Sequence, residues 1–165
     1  MVKRGCRYIV LVDCSADPEK RFGDLGNALR KIRIDTNVDI KFDDGWAQDL
    51  RDGRKRWAVG RILYHQVNNA DEDGTLVYIK PVMCQTEPPD VLAYQAANPD
   101  FPHQGTANQF FNESQTESYR MLGLHTVREM IQSWSAKQGF QELVDQVRKA
   151  QVRKESTAAA AVSGK

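Results

Sequence analysis

The segment Tyr8-Ile9-Val10-Leu11-Val12 constrains what this chain can fold into more than any other. It is a continuous apolar run, rich in β-branched residues and closed by Arg7 on one side and Asp13 on the other. A strand with no polar alternation has no face to give to water. It therefore predicts burial on both faces, as in a parallel sheet. Such a strand needs neighbours at both edges and helices above and below, so the expected class is α/β. A chain of 165 residues is one domain or a large piece of one. This one offers four strand candidates at most, two of them in a hairpin. If those four leave Tyr8 to Val12 uncovered, the exposed surface is expected to aggregate or to pair with a partner.

Asp13 ends the run and opens a loop through Cys14-Ser15-Ala16. Asp17-Pro18 predicts a helix start, an acceptor for the first free N–H groups followed by proline where no donor is needed. Phe22, Leu25, Leu29 and Ile32 then recur along one helical face. Gly23 and Gly26 each cost roughly 1 kcal/mol relative to alanine there. They point to close backbone packing, or to a break near Phe22. Val38 to Phe42 reads as a weak second strand ended by Asp43-Asp44-Gly45, and residues 46–56 as polar loop.

Trp57 to His65 and Thr75 to Met83 read as the arms of a hairpin around the turn-forming residues 68–74. Partner numbers are expected to sum to about 140, which sets His65 opposite Thr75 and Cys84 opposite Arg56. Pro81 lacks a ladder donor, so the second arm lies at an edge or finishes there. Glu87-Pro88-Pro89 closes the strand region, Asp90 to Ala97 fits a short helix, and Asn98 to Gln104 is a loop. Thr106 with Gln109 matches a capping box. The longest helix runs from about Asn112 to Trp134, with Leu124, Val127, Ile131 and Trp134 on one face. Phe140 to Arg153 is a second amphipathic helix. The expected organisation is a main region over 1–134, a helical extension over 135–154 and a disordered Ala/Ser-rich tail over 155–165.

Hydrophobic residues make up 41% and charged residues 27%, a balance foreign to disordered and membrane-embedded chains alike. With 23 Lys and Arg against 22 Asp and Glu, the formal charge of +1 gives no net field for nucleic acid or acidic lipid. No apolar run approaches the ~18 residues of a membrane span. Met1-Val2-Lys3-Arg4 shows no secretory pattern. Cys6, Cys14 and Cys84 are odd in number and fit no metal spacing, which reads as reduced thiols in an intracellular protein.

An elbow serine needs Gly-x-Ser-x-Gly, and none of the seven serines has it. Ser15 follows a strand without the glycines and reads as structural. In the expected register His65 and Cys84 lie roughly 30 Å apart along the ribbon, which excludes a Cys–His pair. Cys6 and Cys14 read as small apolar fillers. His103 with Asp100 and Glu113 matches no metal-ligand spacing, so His103 reads as a hydrogen-bonded turn residue and His125 as a boundary residue. Arg51, Arg54, Lys55 and Arg56 before Trp57 are the one sharp basic cluster, and could meet phosphates. Asp49 and Asp52 interrupt it, so it reads as a solvated loop. Lys149, Arg153 and Lys154 are accounted for by a helix dipole. Asp44-Gly45, Asp52-Gly53 and Asp73-Gly74 are turn dipeptides. No catalytic, cofactor-binding or metal-binding residue is assigned.

Arg7 to Asp13, then Asp17-Pro18, Asp24-Leu25-Gly26-Asn27 and Arg30-Lys31-Ile32-Arg33-Ile34-Asp35, are similar to a segment of bacterial patatin-like phospholipases. In those long lipid acyl hydrolases it follows the catalytic aspartate. Trp57 to Ile62, Gly74 to Pro81, Phe101-Pro102-His103-Gln104, Thr106, Gln109-Phe110-Phe111 and Glu117-Ser118-Tyr119-Arg120 extend the resemblance in the same order, over roughly residues 4 to 125. It implies a partial, mostly parallel sheet with a β-hairpin and C-terminal helices, part of a larger patatin-like three-layer fold. The family cleaves acyl esters with a Ser–Asp dyad, the serine in Gly-x-Ser-x-Gly and the aspartate in Asp-Gly-Gly or Asp-Gly-Ala.

Both dyad members are missing here, and the chain is read as beginning just downstream of the aspartate. The implied protein is a C-terminal segment of a patatin-like hydrolase, inactive alone and associated with an upstream patatin-like polypeptide. It would meet a lipid or membrane surface through that catalytic half, without nucleic acid or cofactor, in the cytoplasm or at a membrane. The alternative is a self-standing, non-catalytic binding module whose surface is the hairpin with the Phe101–Arg120 region.

Overall fold

The computed structural model describes residues 1–68, 71–105, 107, 109–132, 139 and 141–147. The expectations for Thr106, Trp134, Phe140, Lys149, Arg153, Lys154 and the 155–165 tail lie outside these residues. The described chain is α/β, with strands β1 (Tyr8–Val12), β2 (Ile40–Phe42), β3 (Trp57–Ile62) and β4 (Gly74–Ile79) in one sheet ordered β1-β4-β3-β2. Its helices are α1 (Gly23–Thr36), α2 (Trp46–Arg51), α3 (Pro89–Ala97) and α4 (Glu113–Met130). Residues 141–147 are also helical.

The sheet is mixed, not mostly parallel. Only β1 and β4 run parallel, while β3 pairs antiparallel with both β4 and β2. Short connections explain this, since antiparallel neighbours need only a turn whereas a parallel pair needs a crossover. The crossover from β1 to β4 contains everything from α1 to β3.

The hairpin forms, but Trp57 faces Ile79 and Ile62 faces Gly74, four residues from the expected register. The reason lies at Leu63, where the first arm leaves the sheet and Tyr64–Gln66 coils into a 3-10 turn. There the Tyr64 hydroxyl donates to the carbonyl of Cys6 at 2.8 Å. Gly74 permits this packing, because a Cβ at that position would lie 2.8 Å from the Tyr64 ring. An even shift keeps every residue on its expected face. β4 ends at Ile79, just ahead of Pro81.

β1 has the predicted bounds but not the predicted burial. Among the described residues its single strand partner is β4, whose other side is taken by β3, so β1 stands at the edge of the described sheet. Val10, Leu11 and Val12 are 48%, 37% and 57% exposed.

α1 starts at Gly23 and not at Asp17. The Asp17 carboxylate accepts the N–H groups of Arg21 and Phe22 at 2.9 and 2.8 Å, closing a separate turn. Phe22 then takes a left-handed conformation with φ 57°, the break that Gly23 and Gly26 suggested. Residues 46–51, expected as loop, form α2. Its Trp46 ring stacks on Phe42 at 4.6 Å and lies 5.0 Å from Phe22.

Phe22, Leu25 and Leu50 pack with Ala58, Tyr78 and Val82 on one face of the sheet. Trp57, Val59, Val77 and Ile79 meet Met130 and Val147 on the other. Val91, Phe101 and Leu122 join α3 to α4. α4 buries Gln115, Ser118, Leu122, Thr126 and Met130, and leaves Val127 39% exposed, contrary to the expected stripe. Hydroxyls of Ser118 and Thr126 return to the carbonyls of Ser114 and Leu122 at 2.7 and 2.8 Å. Satisfied internally, such residues can line a buried face.

Candidate functional site

β1 and β4 are parallel and finish side by side, with the Asp13 N–H donating to the Ile79 carbonyl at 2.9 Å. Carboxyl ends of parallel strands are where α/β sheets place ligands. Here they carry Asp13, Ser15, Tyr78 and Lys80. The fully buried Lys80 ammonium donates to the Ser15 carbonyl at 2.9 Å and to its Oγ at 3.1 Å, and lies 3.2 Å from Asp13 Oδ1. The Ser15 N–H and hydroxyl donate to Asp13 Oδ1 at 3.0 and 2.6 Å, and the Tyr78 hydroxyl to Oδ2 at 2.7 Å.

Burial pushes the Asp13 carboxyl up, but the donors Ser15, Tyr78 and Lys80 outweigh it and hold the group below the usual carboxylate range. Burial, then Asp13, raises the Tyr78 phenol. His103 closes a turn through its N–H on the Asp100 carbonyl at 2.6 Å. Its imidazole is held below its ordinary value by burial and then by Lys80.

A serine hydroxyl between a carboxylate and an ammonium has the outline of an activated nucleophile. The proton balance argues otherwise. Asp13 is a weakened base with its donors already in place, and Lys80 uses its protons to hold the loop. The group acts as a clamp fastening residues 13–15 to the end of β4, consistent with the structural reading of Ser15. No sequence motif announced it, because Asp13 and Lys80 meet only through the β1–β4 pairing.

The other candidates disperse. His65 Nδ1 pairs with Asp73 Oδ1 at 2.6 Å, while the Cys84 N–H donates to Glu87 Oε1 at 2.7 Å. Cys14 is exposed and so is no apolar filler; Cys6 and Cys84 are half-buried. Asp100 and Glu113 are exposed. Among the described residues no group of three His, Cys, Asp or Glu could hold a metal ion. His125 lies half-buried, 3.3 Å from Thr86 Oγ1 and 3.7 Å from Glu129 Oε1, a boundary position.

The basic cluster is corrected. Lys55 and Arg56 are buried, so it is no solvated loop and turns no phosphate-facing surface outward at those two positions. Lys55 pairs with Asp49 at 2.8 Å, and Arg54 reaches Asp49 and Asp52 at 2.9 and 2.7 Å. Arg56 pairs with Glu87 and Glu129 and donates to Thr86 at 3.1 Å. The acidic residues that interrupt the cluster in sequence include its partners in space, and that was the readable signal.

Among the described residues no strand lies beyond the outer edge of β1. Beside it a groove of about 390 Å³ runs between the sheet and α1, lined by Val2, Ile9, Leu11, Leu29, Ile32 and Leu76. Exposed Lys3, Lys31 and Asp35 stand where it meets solvent. The groove exists because α1 fully buries only Leu25.

No protein-family model matches the chain, and neither a curated protein nor a solved structure does. No helix among the described residues is long and apolar enough to cross a membrane.

Proposed function

We propose that this chain is the C-terminal segment of a patatin-like lipid acyl hydrolase, inactive in ester hydrolysis by itself. A catalytic half, carrying the serine and the aspartate, continues its sheet. The observation that carries this reading is the outer edge of β1, apolar and without a strand partner among the described residues. An edge of that kind is normally blunted by charge, proline or cover. The larger sheet is then the three-layer fold of the family, and contact with lipid, in the cytoplasm or at a membrane, runs through the catalytic half. Within this chain the Ser15 hydroxyl is tied to a carboxylate of lowered basicity, which fits a non-catalytic part.

The test is hydrolysis of p-nitrophenyl butyrate by the purified chain, with and without a serine-reactive fluorophosphonate. Neither turnover nor labelling is expected. Turnover abolished by the probe would overturn the reading and make one of the serines a nucleophile.

A second reading, the self-standing binding module, is favoured by the apolar clusters that this chain's own elements build on both sheet faces. Cooperative unfolding of a stable monomer would support it. Obligate association with a Gly-x-Ser-x-Gly polypeptide would support the first.

A further inference from the structure

We propose that His103 is an acid-operated latch: its neutral ring holds residues 103–105 at the carboxyl end of β1, and proton uptake lets them go.

The ring of His103 hydrogen-bonds the backbone of Ser15, whose carbonyl also accepts from the Lys80 ammonium at 2.9 Å. His103 Nε2 is buried and meets no hydrogen-bond partner among the described residues. The ring therefore donates through Nδ1 and keeps a bare lone pair on Nε2. That arrangement suits the neutral ring alone. A proton on Nε2 creates a buried N–H without an acceptor, and a second cation near the fully buried Lys80.

The charged groups facing the ring come from the end of β4 and from the chain ahead of α1. Lys80 and Lys20 oppose its protonation, while Asp17 favours it. Asp13 is already engaged, 3.2 Å from Lys80 and accepting from Ser15 and Tyr78. On the ring's own loop, the exposed Asp100 accepts the His103 N–H at its carbonyl, at 2.6 Å. α4 contributes the Tyr119 hydroxyl, which takes the Gln104 N–H. Burial and then Lys80 prevail, and hold the imidazole below its ordinary value.

The neighbours on either side are held by other means. Phe101 is 2% exposed, with the Tyr94 and Tyr119 rings 5.2 and 4.8 Å from its own. Residues 13–15 stay on β4 through Asp13 and Lys80. What a proton can free is the short stretch after Pro102, and its release uncovers the Ser15 carbonyl and the Lys80 ammonium. In water the ring regains its ordinary value near 6.5. The open form then binds the proton more tightly than the closed one. The opening constant should rise up to about tenfold for each pH unit below about 6.5, and level off below the value of the closed form.

The experiment is amide hydrogen exchange of the full chain by NMR, corrected for intrinsic rates, at steps between about pH 7.5 and 5. The His103 ring signal is followed in the same samples. Protection of the His103 and Gln104 amides should fall with acid, in step with a ring that titrates below about 6.5. The Phe101 amide and those of β3 should hold. His103→Gln keeps a donor for Ser15 and does not titrate, so its amides should stay level over the same range. Three results would each overturn the latch: the same fall in His103→Gln, an equal fall throughout the chain, or protection of Gln104 that ignores pH. A ring that titrates at or above its ordinary value would do so as well. If His103→Gln fails to fold, His103→Phe replaces it, and the ring titration of the parent chain decides in either case. None of these outcomes depends on ester hydrolysis, so the hydrolase reading stands or falls separately.

Discussion

The carboxylate of Asp13 gathers the Ser15 N–H and hydroxyl, the Tyr78 hydroxyl and the Lys80 ammonium at the end of β1. Buried ion pairs of this kind matter most when one member is lost, because the other is left charged and unpaired. Lys80→Met should destabilise the chain by about 3 kcal/mol in urea unfolding. The pH dependence follows from the same contacts. The folded Asp13 holds its proton less tightly than the unfolded one, so the unfolded chain takes up protons first. The stability Asp13 contributes is thus present above about pH 3.9 and lost as pH falls through its folded value. In Lys80→Met the acid loss should set in at higher pH, because a donor is gone while the burial that raises the group remains. Residue-scale chemistry was the least legible part of the sequence. Asp13 and Ser15 stand together in it, but nothing local says that Lys80 arrives between them. Arg56 misled for a related reason, since Glu87 and Glu129 are remote in sequence and adjacent in space.

Elements were legible where one physical cause dominates. The apolar run of β1, the turn-bounded arms of β3 and β4, and α3 and α4 follow from period and punctuation, with ends displaced by a few residues. α2 was missed because its six residues, Trp46–Arg51, are too short to display a period, and its anchoring is aromatic stacking on Phe42. The buried stripe of α4 was misjudged because Ser118 and Thr126 look polar in sequence and are satisfied in place. β1 teaches a different lesson: an apolar strand states what it requires, and the count of available strands decides whether it obtains it. An apolar strand at the edge of the described sheet can be blunted by a charge. Val12→Lys, at a position 57% exposed, should raise solubility and suppress association while changing stability by no more than about 0.5 kcal/mol. Light scattering on concentrated samples, alongside thermal unfolding, checks both parts. A large loss of stability would mean that Val12 is covered in solution.

For the whole molecule, Arg56 does the joining. It stands ahead of β3, and its guanidinium reaches Glu87 before α3 and Glu129 near the end of α4, with Thr86 bridging. Helices on one side of the sheet are thereby tied to the strands by charge as well as by Trp57, Val59 and Met130. Arg56→Ala strands two carboxylates, one of them fully buried, and should cost about 3–5 kcal/mol. The urea midpoint measures it, and a variant as stable as the parent would show that α4 docks by apolar contact alone. At this scale the α/β class could be read from the sequence, while the mixed sheet could not. Strand direction depends on how the chain returns, and that is a property of the loops. The order of the sheet also bears on how the chain is made. Tyr8 pairs with Thr75 across a span that contains α1, β2, α2 and β3, so loop closure must precede any ladder on β1. On a ribosome the run from Tyr8 to Val12 emerges early and stays unmatched until β4 has followed. The apolar surface that β1 presents among the described residues is also the one a newborn copy carries longest.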